Sequence, residues 1–268
     1  MSEETRYIVP ALERGLRVLR AFSRERPAIG LADLARELAL PKTTVFRIMH
    51  TLESMGFVRR LDDGRTFRLG PAVLTLGFEY LAALELPEVA RPALEALRDA
   101  TGASSHLAIR DGAEIVYVSR YASRSALASN INVGSRLAAH ASSMGRVLLA
   151  DLDPAALDAL YGDAPLDRYT DQTPTTLAAL KEMLTADRRR GFVISRAFYE
   201  KGVVSIAAPV RDATGRAVAA INLTGAAHLV EPGALETTMK DAVLQAAEKI
   251  SGWLGHRAAA PARIAAAS

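Results

Sequence analysis

One stretch, LADLARELALPKTTVFRIMHTLESM from Leu31 to Met55, constrains this chain more than any other. Apolar residues recur at Leu31, Leu34, Ala35 and Leu38, one face of a short helix. A second set recurs at Val45, Ile48, Met49 and Leu52, spaced i, i+3, i+4, i+7, one face of a second helix. Between them lies Ala39-Leu40-Pro41, and Pro41 suits the start of the second helix, where a missing N–H costs nothing. Two short amphipathic helices joined by a tight turn are a helix-turn-helix. Gly56 to Leu61 then reads as a strand, Asp62-Asp63-Gly64 as a turn, and Arg65 to Leu69 as the return strand. A basic hairpin directly after the helix pair predicts a winged helix-turn-helix.

The second helix carries Lys42, Thr43 and Thr44 in its first turn and Arg47 one turn later, and the hairpin adds Arg65. Lys and Thr suit phosphates, and an Arg guanidinium can fork onto a guanine edge. A solvated helix face is the alternative for the helix pair alone; the hairpin shifts the reading to DNA binding. Charge distribution agrees. From Arg14 to Arg68 there are 12 Lys/Arg against 6 Asp/Glu, a net of +6 in a chain whose total is only +3.

The 268 residues suffice for two domains, and half of them are hydrophobic, so each can bury a core. No run of about 18 apolar residues predicts a membrane span, and MSEETRYIVPALERGL lacks the pattern of a signal peptide. Without cysteine, disulfides, thiolate zinc sites and a cysteine nucleophile are excluded. A cytoplasmic protein is expected.

Residues 1–9 are polar. Pro10 to Phe22 is predicted helical, with Leu12, Leu16, Leu19 and finally Phe22 facing inward, and Pro27 to Gly30 is a break. Pro71 opens a further helix through residue 86, with an apolar stripe of Val73, Leu74, Gly77, Phe78 and Leu81. That stripe pairs with a second subunit or packs on its own downstream domain. Pro87 opens a second domain: a helix over 88–101, strands over 104–110, 114–120 and 127–133, helices over 142–152, 154–161 and 175–190, strands over 191–199, 203–211 and 217–224, and a closing helix over 232–253. Hairpins of strands flanked by helices predict an α+β fold with a largely antiparallel sheet. The expected division is 1–70 for DNA binding, 71–86 for linkage and dimerisation, 87–256 for the second domain, and 257–268 as a disordered Ala-rich tail.

Two blocks resemble the IclR family of bacterial transcriptional regulators: LADLARELALPKTTVFRIMHTLESMGFV, and the pair GSRLAAHASSMGRVLLA with EKGVVSIAAPVRDATGRAVAAINLTG. The resemblance spans about residues 10 to 256. It implies a winged helix-turn-helix, a linker helix and a GAF-like effector domain, binding to double-stranded operator DNA, and assembly as a homodimer or tetramer. Family members often carry Gly where this chain has Ala39; a left-handed backbone there costs Ala about 1 kcal/mol. The stretch from Asn130 to Arg136, followed by His140 to Arg146, resembles a subgroup controlling protocatechuate, 4-hydroxybenzoate and β-ketoadipate catabolism. A small carboxylate effector, an aromatic acid or β-ketoadipate, is the implied ligand.

Carried over by position, the family's pocket residues are Ser143 and Met144 at a helix start, Ser195 and Ser205 on two strands, and Asn222 and Thr224 on the last strand. Ser205, Asn222 and Thr224 alternate so as to face one side. N–H groups near Ser142 could hold a carboxylate, Arg136 could pair with it, and His140 could donate to a ring hydroxyl. The alternatives are hydroxyls satisfied by backbone, a surface salt bridge for Arg136, and a core role for Met144. A Ser-His-Asp hydrolase is the competing class, but there is no G-x-S-x-G elbow, no P-loop and no G-x-G-x-x-G. The five histidines show no H-E-x-x-H spacing, so neither cofactor nor metal is expected. An architectural DNA-binding protein without ligand would not require the large apolar C-terminal half.

Overall fold

The computed structural model describes residues 7–23, 25–123 and 131–257. The chain divides into two compact units, Met1–Leu84 and Glu85–Ser268.

The first unit contains helix α1 (Pro10–Arg20), strand β1 (Ala28–Gly30), helices α2 (Leu31–Glu37) and α3 (Lys42–Ser54), strands β2 (Val58–Arg60) and β3 (Thr66–Leu69), and helix α4 (Ala72–Ala82). Its sheet has the order β1-β3-β2. Leu34, Ala35, Leu38, Val45 and Met49 are buried together with Val18, Ile29, Val58 and Phe67. The helix pair therefore packs by the faces its periodicity marks. The break expected at Pro27 to Gly30 ends in β1, which pairs Ile29 with Phe67. Its three residues are too few to show alternation. The turn between α2 and α3 places Ala39 at φ +52, the left-handed geometry expected there.

Helix α1 buries Phe22 and packs Leu19 on the core as expected, but not the other two leucines. Leu12 and Leu16 are 61% and 53% exposed, whereas Val18 and Phe22 are buried. The inward line runs through Gly15, Val18 and Phe22, at helical spacing. Gly15 has no side chain to advertise that line, and the leucines stand out in its place. Helix α4 also ends earlier than residue 86, at Ala82. Leu74 is exposed and Val73 half-buried. The side chains of Phe78 and Leu81 lie outside those described.

The second unit is built on a six-stranded antiparallel sheet, order β6-β5-β4-β9-β8-β7. Its strands are β4 (Ser104–Asp111), β5 (Glu114–Tyr121), β6 (Arg136–Ala138), β7 (Val193–Arg196), β8 (Val203–Arg211) and β9 (Ala217–Ala226). Helices α5 (Glu85–Thr101) and α9 (Thr238–Trp253) cover one face, where the Ser105 hydroxyl donates to the Leu94 carbonyl at 2.7 Å. Helix α6 (Ser143–Leu149) covers the other, followed by α7 (Pro154–Tyr161) and α8 (Leu177–Arg190). Alanines 108, 207 and 220 pack with Met144 and Val147 in the core beneath α6. Their small size lets α6 approach the sheet. At Gly145 a Cβ would sit 2.3 Å from the Ala139 Cα, so only glycine lets α6 pack this closely on the turn at Ala139–Ala141 that leads into it.

The strand expected over 127–133 lies largely outside the described residues. Ile131 to Val133 are not strand; a turn with Gly134 at φ +87 follows, and β6 begins at Arg136. The expected tail beyond residue 257 also lies outside them. Among the described residues, no helix is long and apolar enough to cross a membrane.

Candidate nucleic-acid interface and ligand cavity

Burial of Val45 and Met49 turns the opposite side of α3 outward. Lys42, Thr43 and Arg47 are exposed on it, and Thr44 is half-buried. Phe46, 48% exposed, sits over His50 with ring centroids 6.4 Å apart. An apolar ring beside Arg47 can meet a thymine methyl, a contact the search for basic residues overlooked.

The wing turn is held by Asp63, whose carboxylate accepts from the Arg65 and Thr66 backbone N–H groups at 2.8 and 2.9 Å. Together with the Thr66 hydroxyl, these donors hold the Asp63 carboxyl below its ordinary range. Arg65 is thereby fixed at the exposed tip. Arg59 and Arg68 face each other across the hairpin and are also exposed, extending the positive surface. Arg60 is committed elsewhere: it pairs with Glu53 at 3.2 Å and lies over the Phe67 ring at 4.7 Å. It ties the wing to α3.

In the second unit a cavity of about 60 Å³ opens between the sheet and the start of α6. Register pairing brings Ser195, Ser205, Thr224 and Ser104 into one row across four strands. Of these, Ser195, Ser205 and Thr224 line the cavity, with Ser143 and Asn222. Ser143 and Ser205 join hydroxyl to hydroxyl at 2.8 Å. Ser142 also lines the cavity, and its side chain caps α6 by accepting from the Gly145 N–H at 3.1 Å. Tyr117, Phe198 and Tyr199 supply aromatic walls, and Glu200 is the one charged residue of the lining among the described residues.

Three of the expected pocket residues are placed differently. Arg136 heads edge strand β6 and is committed to Asp111 at 2.6 Å and Glu114 at 2.8 Å, carboxylates of the neighbouring β4–β5 hairpin. Those partners, with Arg136 absent from the cavity lining, make it the surface salt bridge of the alternative reading. His140 is buried behind the cavity, its Nε2 2.9 Å from the Asp167 carbonyl and its ring against Tyr161 and Tyr169. Met144, one residue after Ser143, points around the helix into the core, 1% exposed.

The wall is braced from behind. Arg146 donates twice to Asp187, at 2.6 and 2.9 Å, with both groups buried, and its guanidinium lies 4.7 Å over the Phe198 ring. Burial lowers the Arg146 pKa and raises that of Asp187. The Phe198 carbonyl accepts from Thr173 at 2.6 Å and Thr170 at 3.2 Å. Beneath the floor lies His106, fully buried, with Nδ1 2.9 Å from Asn222 Oδ1. Burial pushes its pKa down to about 4, so the ring is neutral. Sequence reading missed His106, Tyr117 and Phe198. The alternation Ser104, His106, Ala108 along β4 was the available signal for the histidine.

The fold and these two sites define a class: a DNA-binding regulator that carries a separate sensory unit. Residues 11–62 match the IclR helix-turn-helix domain, and residues 78–252 match the domain described as bacterial transcriptional regulator IclR C-terminal. The chain belongs to the IclR family of transcriptional regulators. It is 35% identical over 215 residues to the Pca regulon regulatory protein of Pseudomonas putida, covering 80% of this chain and 73% of that one. A solved transcriptional regulator from Rhodococcus sp. RHA1 superposes with a TM-score of 0.80 at 38% identity, covering 92% of this chain and 98% of that one. An IclR homolog from Microbacterium hydrocarbonoxydans, solved in complex with 4-hydroxybenzoate, superposes with a TM-score of 0.77 at 29% identity, covering 91% and 98%.

Proposed function

We propose that this regulator reads operator DNA with Lys42, Thr43, Thr44, Arg47 and Arg65, and answers to a small carboxylate, an aromatic acid or β-ketoadipate, bound in the cavity of residues 87–256. The observation that carries the ligand reading is the hydroxyl set Ser143, Ser195, Ser205 and Thr224 beside the rings of Tyr117, Phe198 and Tyr199. A carboxylate needs donors, an aromatic ring needs flat apolar walls, and the cavity supplies both. With Arg136 committed elsewhere, hydroxyl and amide donors carry the recognition. The 4-hydroxybenzoate complex of the Microbacterium homolog and the Pca regulon relative support the same chemical class.

The cavity, at about 60 Å³, is smaller than the several hundred Å³ typical of a small-molecule site. Admitting a ring requires the Ser143–Ser205 pair to part. Residues 71–86 act as the link between reading and sensing parts, and the exposed Leu12, Leu16, Leu74, Leu76 and Tyr80 pair subunits into a dimer or tetramer. The protein works in the cytoplasm, where its DNA is.

Calorimetry with 4-hydroxybenzoate, protocatechuate and β-ketoadipate tests the ligand class. Heat of binding with at least one is expected. No heat with any, alongside a response to a neutral or cationic ligand, overturns the carboxylate reading. Sedimentation of the full chain tests assembly, and a 28.7 kDa species at micromolar concentration rules out the dimer.

A further inference from the structure

The floor of the cavity contains a hydrogen-bonded chain whose direction is set at its buried end. His106 Nδ1 lies 2.9 Å from Asn222 Oδ1, and Asn222 Nδ2 lies 2.9 Å from Thr224 Oγ1. All three residues are buried, and Asn222 and Thr224 line the cavity. The roles follow one from another. A carboxamide oxygen carries no hydrogen, so His106 donates through Nδ1–H. A carboxamide nitrogen only donates, so Thr224 Oγ1 accepts. The Thr224 hydroxyl therefore keeps its own proton for a partner in the cavity.

Asn222 alone does not decide this direction, because its amide has nearly the same shape when turned over. Reversed, its oxygen would take the Thr224 proton, and its NH2 would meet His106 Nδ1–H, donor against donor. The ring could yield only by moving its proton to Nε2. That atom is buried and has no hydrogen-bond partner among the described residues. A buried N–H without acceptor is disfavoured more than a buried lone pair without donor. The guanidinium of Arg120, register partner of His106 on β5, also opposes a second proton on the ring.

We propose that His106 is a positioning residue of the ligand cavity: it holds the Asn222 amide so that the Thr224 hydroxyl faces the ligand as a donor, selecting an acceptor such as a carboxylate. The inference rests on the effector reading above.

The test compares 4-hydroxybenzoate with 4-hydroxybenzamide, which replaces one acceptor oxygen by a donor, on the full chain. The wild type prefers the carboxylate. In His106→Leu the amide is free to turn, and the preference falls about tenfold, the scale of one hydrogen bond to a charged group. Asn222→Asp, nearly isosteric, accepts from both neighbours and loses the preference without removing His106, which covers the case in which the leucine variant does not fold. Nitrogen-15 spectra of the wild-type histidines give a readout without ligand, with His106 as the Nδ1–H tautomer. An Nε2–H tautomer, or an unchanged preference in folded His106→Leu or Asn222→Asp, overturns the proposal. If the wild type binds neither probe, the effector reading falls, and the tautomer alone decides the direction of the chain.

Discussion

Ser143 Oγ on α6 and Ser205 Oγ on β8 lie 2.8 Å apart, each hydroxyl the partner of the other across the cavity. A pair of this kind satisfies both groups while keeping them available, since two hydroxyls together hold one donor proton more than their mutual bond uses.

Replacing one of them tests the cavity directly. Ser205→Leu removes the pair and fills the space between β8 and α6. Saturating 4-hydroxybenzoate, if it binds as proposed, stabilises the wild type by about 2.7 kcal/mol at 100 times its dissociation constant. The variant loses that thermal shift and retains operator binding measured in the absence of ligand. A shift of undiminished size places the ligand elsewhere.

Arg47→Ala is expected to abolish discrimination of the specific operator, because a lost bidentate base contact costs about 1–3 kcal/mol. Lys42→Ala, at a phosphate-contacting position, weakens binding to all sequences and reduces the salt slope by about 1. Footprinting at several salt concentrations separates the two effects. Full protection of the specific site by Arg47→Ala at low salt removes Arg47 from base reading.

Ala39→Gly is expected to stabilise the first unit. Ala39 holds φ +52, where a Cβ is strained and glycine is not. Relief of that strain of about 1 kcal/mol, less about 0.4–1 kcal/mol for the greater freedom of glycine in the unfolded chain, leaves at most about 0.6 kcal/mol in favour of the variant. Urea unfolding followed on the DNA-binding unit measures it, and a lower midpoint for the glycine variant contradicts the turn geometry.

His106 gives the second unit a pH dependence of known sign. Burial lowers its pKa from 6.5 to about 4. Between those values the unfolded chain binds the proton and the folded one does not, so stability is full above pH 6.5 and falls as the pH drops toward 4. The loss is about 1.4 kcal/mol per pH unit within that window. His106→Asn, which has no proton to gain, should show a flatter dependence of melting temperature over the same range. Identical slopes in the two proteins would mean that His106 titrates normally.

What the amino-acid sequence determined by itself is the set of features written in local spacing. The inward faces of α2 and α3 follow from periodicity at Leu34, Leu38, Val45 and Met49. The wing follows from turn residues between basic strands, and the left-handed turn at Ala39 was implied by the resemblance to a family that often carries Gly there. The alternation of Ser205, Asn222 and Thr224 likewise announced one shared strand face. Only the tertiary structure decided contacts made across long sequence separations. Arg136 is free to reach an anion until the β4–β5 hairpin presents Asp111 and Glu114 to it. Leu12 and Leu16 look like core until Val18, which the leucine spacing does not mark, is seen to occupy it beside Phe22. His106 reads as one more polar residue of a mixed strand until β9 lays Asn222 beside it, 116 positions away. Short-range pattern records which side of an element a residue is on; which partner waits on that side is settled by packing.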